Sequence, residues 1–175
     1  MCFDSAEIQN SHIRDPFVDG TPRIRRLAPG DAPALVAFYN RLSAPSKRTF
    51  RPLRPVTVPE KCAAIIRDNS AGTKFDLVAV DDRAIVGWSF LWNLDTDEPT
   101  FGLAVADAFH GQGLGTALIT HIMDVARKVG LSTIYLTVVT DNAVAQHIYK
   151  KQGFVKYAEF TGDDGLPYFR MARRF

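Results

Sequence analysis

One stretch restricts what this chain can fold into more than any other. Between Leu103 and Thr116 an apolar run gives way to a short turn, then to Gly111, Gly113 and Gly115, and then to an amphipathic segment. In residues 113–129 the apolar positions Leu114, Leu118, Ile119, Ile122, Val125, Ala126 and Val129 recur at helical spacing and share one face. Gly130 follows as a C-terminal cap. A strand that turns directly into a one-faced helix needs a sheet for that face to bury against, which selects an α/β architecture.

The same turn has chemical meaning. A helix start presents free backbone N–H groups and the positive end of the helix dipole. Glycines let the backbone approach an anion closely. Together they form a cradle for a phosphate or diphosphate; the purely structural alternative is a tight strand-to-helix turn. No Lys-Ser/Thr pair follows Gly115, so this is not a P-loop, and the Gly111-x-Gly113-x-Gly115 spacing is not the dinucleotide fingerprint.

The rest of the chain supplies the sheet. Pro22–Leu27 alternates as a first strand, and Asp31 is placed to cap a helix running to about Leu42. Residues 43–56, with three prolines, read as a loop. Thr57 stands three residues before Glu60, as in a capping box, and opens a second helix ending near Asn69. Residues 75–80 and 84–92 are strands joined through Asp81-Asp82-Arg83, with Trp88 and Trp92 on one face, as core residues in preference to a ligand platform. An acidic loop (93–98), a strand (100–106) and a β-branched strand (133–139) follow. Asp141-Asn142 starts a helix with Val144, Ala145, Ile148 and Tyr149 on one face, closed by Gly153, and two strands (154–160, 166–172) flank a final turn. Residues 1–20, polar and aperiodic, read as a tail or surface arm, leaving 21–175 as a single α/β domain.

Composition narrows the partners. A net charge of +2 over 175 residues gives no argument for nucleic acid or membrane. The basic run Lys47, Arg48, Arg51, Arg54 reads as solvated surface or as an attraction for an anionic substrate. Two cysteines, Cys2 and Cys62, make no disulfide framework, and no His/Cys/Asp grouping has metal spacing, so no metal is expected. The absence of a basic-then-apolar start and of a run of about 20 apolar residues leads to the expectation of a soluble cytoplasmic protein.

Two separated motifs carry a resemblance. His110-Gly111-Gln112-Gly113-Leu114-Gly115 resembles the acetyl-CoA signature Arg/Gln-x-x-Gly-x-Gly/Ala of the GNAT N-acetyltransferases, with His110 in place of Arg or Gln. Asp141-Asn142 through Tyr149 to Gly153-Phe154 resembles that family's Asn…Ala…Tyr…Gly-Phe segment. The match is close over about residues 75–160 and only in outline before that. It implies a mixed, mostly antiparallel sheet of six to seven strands with a splayed parallel pair, flanked by about four helices.

It also implies an acetyl-CoA-dependent transfer of an acetyl group to a primary amine, on a small molecule or on a protein lysine or N-terminus. The cofactor would lie along Leu103, Ala104 and Val105, its diphosphate on the amides of Gly111, Gln112, Gly113, Leu114, Gly115 and Thr116. Val105 N–H would stabilise the oxyanion. Asn142 would reach the pantetheine or acetyl region, or serve as a helix N-cap. Tyr149 would protonate the departing thiolate, or be a core aromatic. Glu98 is the candidate general base, or a solvated loop charge. The rival reading is an acyl-CoA-binding sensor without turnover. A homodimer is left open.

Overall fold

The computed structural model describes residues 22–53 and 56–175; the expected arm at 1–20 and Arg54 of the basic run lie outside them. The elements are β1 (Arg23–Arg26), α1 (Ala32–Arg41), α2 (Ala44–Thr49), α3 (Pro59–Ser70), β2 (Lys74–Asp81), β3 (Ala84–Trp92), β4 (Thr100–Val105), α4 (Leu114–Lys128), β5 (Thr133–Val139), α5 (Ala143–Lys151), β6 (Val155–Thr161) and β7 (Pro167–Arg174). Short 3-10 turns occupy Pro29–Asp31 and Asp107–Phe109.

The seven strands form one sheet in the order β1-β2-β3-β4-β5-β7-β6. Every neighbouring pair is antiparallel except β4 and β5. That parallel pair is where the sheet comes apart. Its ladder holds a single residue pair, Thr100 with Tyr135. Tyr135 N–H adds a bond to the Pro99 carbonyl at 2.9 Å. Beyond this point the two strands run on to their C-terminal ends without pairing.

Alternation along the strands sends side chains to two cores. On one face Leu118, Ile119 and Ile122 of α4 pack with Leu77, Phe101, Ile134 and Leu136. On the other, Leu35 and Phe38 of α1 and Cys62 and Ile65 of α3 pack with Val78, Ile85, Trp88 and Phe90. Each large side chain buried this way contributes roughly 1.5–3 kcal/mol, so α4 is fixed over the middle of the sheet.

Several local expectations need correction. Residues 43–56 are not all loop, because α2 forms there. The Ser43 hydroxyl accepts from Ser46 N–H at 3.3 Å, and Pro45 lies in the first turn, so a helix-start signal outweighed the proline count. Thr57 closes no capping box: α3 begins at Pro59 with Val58 as its N-cap, which leaves Thr57 one residue too early. Its backbone pairs with Asn40 instead, at 3.0 and 3.1 Å. Asp31 makes no side-chain cap to α1; its carboxylate accepts from Ala28 N–H at 2.7 Å and pairs with Arg25. Val144 is 73% exposed. It sits in the first turn of α5, and helical side chains lean toward the N-terminus, which carries it off the end of the contact made by Ala145, Ile148 and Tyr149.

Candidate active site

The edge of β4 that faces the gap follows from ladder parity. Ala106 N–H donates to the Val86 carbonyl at 2.8 Å. Ala104, Gly102 and Thr100 follow in register with Trp88, Phe90 and Trp92. Antiparallel pairing spends alternate residues on one neighbour, so these four turn their backbone groups to β3. Pro99, Phe101, Leu103 and Val105 turn theirs to β5, as the Pro99–Tyr135 bond requires. Leu103 and Val105 thus hold out N–H and C=O groups where β5 has drawn away. The Val105 carbonyl is taken by His110 Nε2 at 2.9 Å, which leaves the Val105 N–H facing the gap. Ala104 differs from its two neighbours: its backbone is committed to Trp88, and it packs toward the α1/α3 core.

The glycine turn follows at the open end of the gap. Gly111 and Gly113 have φ of +74° and +82°, and a Cβ built on either would meet nothing within 4 Å. Glycine is therefore required by conformation, and the space beside both positions is open. Gly115 is different: its φ is ordinary, and a Cβ would rest 3.8 Å from Leu103 and Val105, pointing into the sheet. Gly113 is the N-cap of α4 and has no side chain to cap it. The amides of Leu114, Gly115 and Thr116, the first three of the helix, have no acceptor within the helix. The Leu114 side chain is buried in the core, so only its amide is presented. Gln112 Nε2 is turned back to the Ala108 carbonyl at 2.8 Å.

Asn142 is the N-cap of α5, its Oδ1 accepting from Ala145 N–H at 3.1 Å. Tyr149, further along that helix, is 8% exposed. Its ring meets Phe101 of β4 edge-on at 5.9 Å and lies 6.0 Å from Phe154. Burial pushes its hydroxyl up to about 12, so at neutral pH it is a protonated donor. Glu98 is exposed and lies in the loop before Thr100, at the closed end of the gap.

Two features escaped sequence reasoning. Asp76 on β2 is fully buried, and it accepts from Asn69 Nδ2 at 2.6 Å, Trp88 Nε1 at 2.6 Å and Trp92 Nε1 at 3.2 Å. Burial outweighs these donors and raises its pKa to about 6. It fixes an aromatic wall behind β4, in which Phe90 stacks on Trp92 at 4.0 Å and Phe50 meets Trp88 edge-on at 5.6 Å. The available signal was a lone carboxylate in the apolar run Phe75–Val80. The second feature is α2. Ser43 and Ser46 donate to Asp107, and Arg48 makes a two-pronged pair with Asp141. The serine hydrogen bonds hold Asp107 down at about 2. Among the described residues no group of three or more His, Cys, Asp or Glu is placed to hold a metal ion, and no helix is long and apolar enough to cross a membrane.

An open mixed sheet, split at its one parallel pair and with an uncapped helix start at the mouth of the split, defines a class of α/β proteins that can seat an extended, anion-bearing ligand in the sheet. Residues 36–154 match the acetyltransferase (GNAT) family, and the chain belongs to that family. The ribosomal protein bS18-alanine N-acetyltransferase of Haemophilus ducreyi is 31% identical over 87 residues, a match spanning 49% of this chain and 60% of that protein. An uncharacterized N-acetyltransferase of Mycobacterium tuberculosis is 31% identical over 126 residues, 65% of this chain and 80% of that one. Among solved structures, yncA of Salmonella typhimurium with its cofactor acetyl-CoA superposes with a TM-score of 0.74 at 19% identity, covering 89% of this chain and 94% of that one. That last likeness is one of fold.

Proposed function

We propose that this chain is an acetyl-CoA-dependent N-acetyltransferase that acylates a primary amine by direct attack. The observation that carries the reading is the split between β4 and β5, where the edge groups of Leu103 and the N–H of Val105 adjoin the uncapped amides of Leu114–Thr116. An extended pantetheine arm can bond to such an edge as a strand does, and a diphosphate suits the helix start. The open space beside Gly111 and Gly113 fits that group.

Acetyl-CoA brings the acyl group as a thioester. Val105 N–H donates to the carbonyl oxygen as negative charge builds on it. The amine nitrogen forms the new bond to carbon, the carbon–sulfur bond breaks, and Tyr149 gives its proton to the leaving sulfur. In this reading Asn142 keeps its Oδ1 on the α5 cap and turns Nδ2 toward the pantetheine. Glu98, the candidate base, lies in the loop before β4, at the closed end of the split. Asp107 and Asp141, each held below the usual carboxylate range by hydrogen bonds, from Ser46 and Arg48 respectively, are poor bases. The acceptor arrives as the free amine; the proton its nitrogen sheds on acylation passes to water, directly or through Glu98, and solvent returns a proton to Tyr149. The bS18-alanine relative makes a polypeptide α-amine the first acceptor to try.

One observation serves the rival reading of a sensor without turnover: Tyr149 is packed between Phe101 and Phe154 like a core residue. Release of free thiol from acetyl-CoA over a panel of amines and peptides separates the two. Tyr149→Phe is expected to lower turnover about 100-fold or more, the scale of general-acid catalysis, with acetyl-CoA affinity unchanged. Full activity in that variant removes Tyr149 from the mechanism. Tight acetyl-CoA binding with no thiol release on any amine favours the sensor.

A further inference from the structure

The segment 43–51 spans the mouth of the split and touches both of its lips. Toward β4, Ser43 N–H donates to Asp107 at 3.1 Å, and the hydroxyls of Ser43 and Ser46 both donate to the same carboxylate at 2.7 Å. Asp107 begins the turn that leads from β4 to the glycines. Toward β5, Arg48 holds Asp141 with both nitrogens, at 3.0 and 2.8 Å. Asp141 stands next to Asn142, the N-cap of the helix that carries Tyr149. Arg51 adds a third attachment, to Asp164 in the β6–β7 turn at 3.4 Å.

The attachments are polar because α2 has no buried residue of its own. A six-residue helix is too short to persist alone in water. Buried Leu42 and Leu53 pin the chain on either side, and between them the ring of Phe50 packs against Tyr39, Trp88 and Phe90. The two lips share no ladder bond at this end of the sheet. Among the described residues this helix bridges them at the open end, through residues 64 and 93 positions away in sequence, while α5 meets β4 directly only deeper in the sheet, where Tyr149 packs on Phe101.

We infer that α2 is a tie-bar that sets the width of the split, and that Ser43, Ser46 and Arg48 are positioning residues which hold the glycine turn and the Tyr149-bearing helix at a fixed separation. This rests on the reading above: the separation matters because the thioester must lie between a donor on β4 and an acid on α5. A misplacement of about 1 Å costs up to about 100-fold in rate with little effect on binding.

The test is a charge exchange. Arg48→Asp, Asp141→Arg and the double exchange are each examined by thermal melting, acetyl-CoA calorimetry, thiol release and amide hydrogen exchange. Each single variant is expected to stay folded, to bind acetyl-CoA within about twofold of wild type, and to lose about tenfold in turnover. It is also expected to exchange faster at residues 107–112, on the lip that carries neither substitution; the double exchange restores both readouts. Unaltered exchange at 107–112 in both single variants overturns the tie-bar, whatever the turnover. Arg48→Lys, which keeps the charge and loses the fork, is expected to fall between wild type and Arg48→Asp. Wild-type protein that releases no thiol on any acceptor counts against the proposed function; the exchange measurement still decides the tie-bar.

Discussion

Two glycines of one turn, tested as a pair, separate the needs of the fold from those of the ligand. At Gly113, φ is +82°, and an L-residue held there costs about 1–2 kcal/mol even though its Cβ would touch nothing. At Gly115 the backbone is helical and a methyl group would make ordinary contact, 3.8 Å from Leu103 and Val105. Alanine inside a helix gains up to about 1 kcal/mol over glycine. Gly113→Ala is therefore expected to lower stability by about 1–2 kcal/mol, and Gly115→Ala to leave it unchanged or raise it. For a domain of this size 1 kcal/mol corresponds to about 2–4 °C in Tm. Coenzyme affinity should follow the same order. A strained Gly113 turns the amides of the cradle away from one direction, and about a tenfold loss corresponds to 1.4 kcal/mol. The methyl at 115 points into the sheet and should cost less than about threefold. Calorimetric melting and titration with acetyl-CoA read both quantities. Equal loss of affinity in the two variants, or a Gly115→Ala protein that melts well below wild type, would refute this geometry of the turn.

Two further predictions concern the scaffold. Asp76, raised from 3.8 to about 6 by burial, holds its proton more tightly in the folded state than in the unfolded one. Its contribution to stability is thus present in full below pH 3.8 and is lost as pH rises through about 6; the shift of roughly 2 pH units amounts to ~3 kcal/mol. Denaturant titrations of wild type and Asp76→Asn between pH 4 and 7 should show their stability difference changing by about that much, wild type losing ground; a flat difference contradicts the assignment. Gly102→Ala places a Cβ 2.1 Å from Phe90 Cζ. Because Phe90 is stacked on Trp92 it has little room to withdraw, and overpacking of this kind costs about 1–3 kcal/mol; an unchanged Tm would show that the ring moves freely.

Much of the molecule was legible in the linear order of residues, because its signals are local. The spacing of Leu114, Leu118, Ile119 and Ile122 follows from the helical repeat and needs no partner to be read. The strand at 133–139 and the turn at Gly130 are likewise properties of neighbours in the chain. So were the glycine turn and the existence of α5, down to Asn142 as its cap. What the three-dimensional arrangement alone decided are relations between distant segments. Ladder parity, set by the pairing of β4 with β3, chose Leu103 and Val105 over Ala104 as the residues whose backbone faces the split. The point at which β4 leaves β5 put Glu98 at the closed end. The enclosure of Asp76 by Asn69, Trp88 and Trp92, and the bridge from Arg48 to Asp141, depend on side chains that become neighbours only when the sheet has formed. Periodicity specifies which face of an element is apolar; it carries no information about which polar groups a second element will bring to meet it.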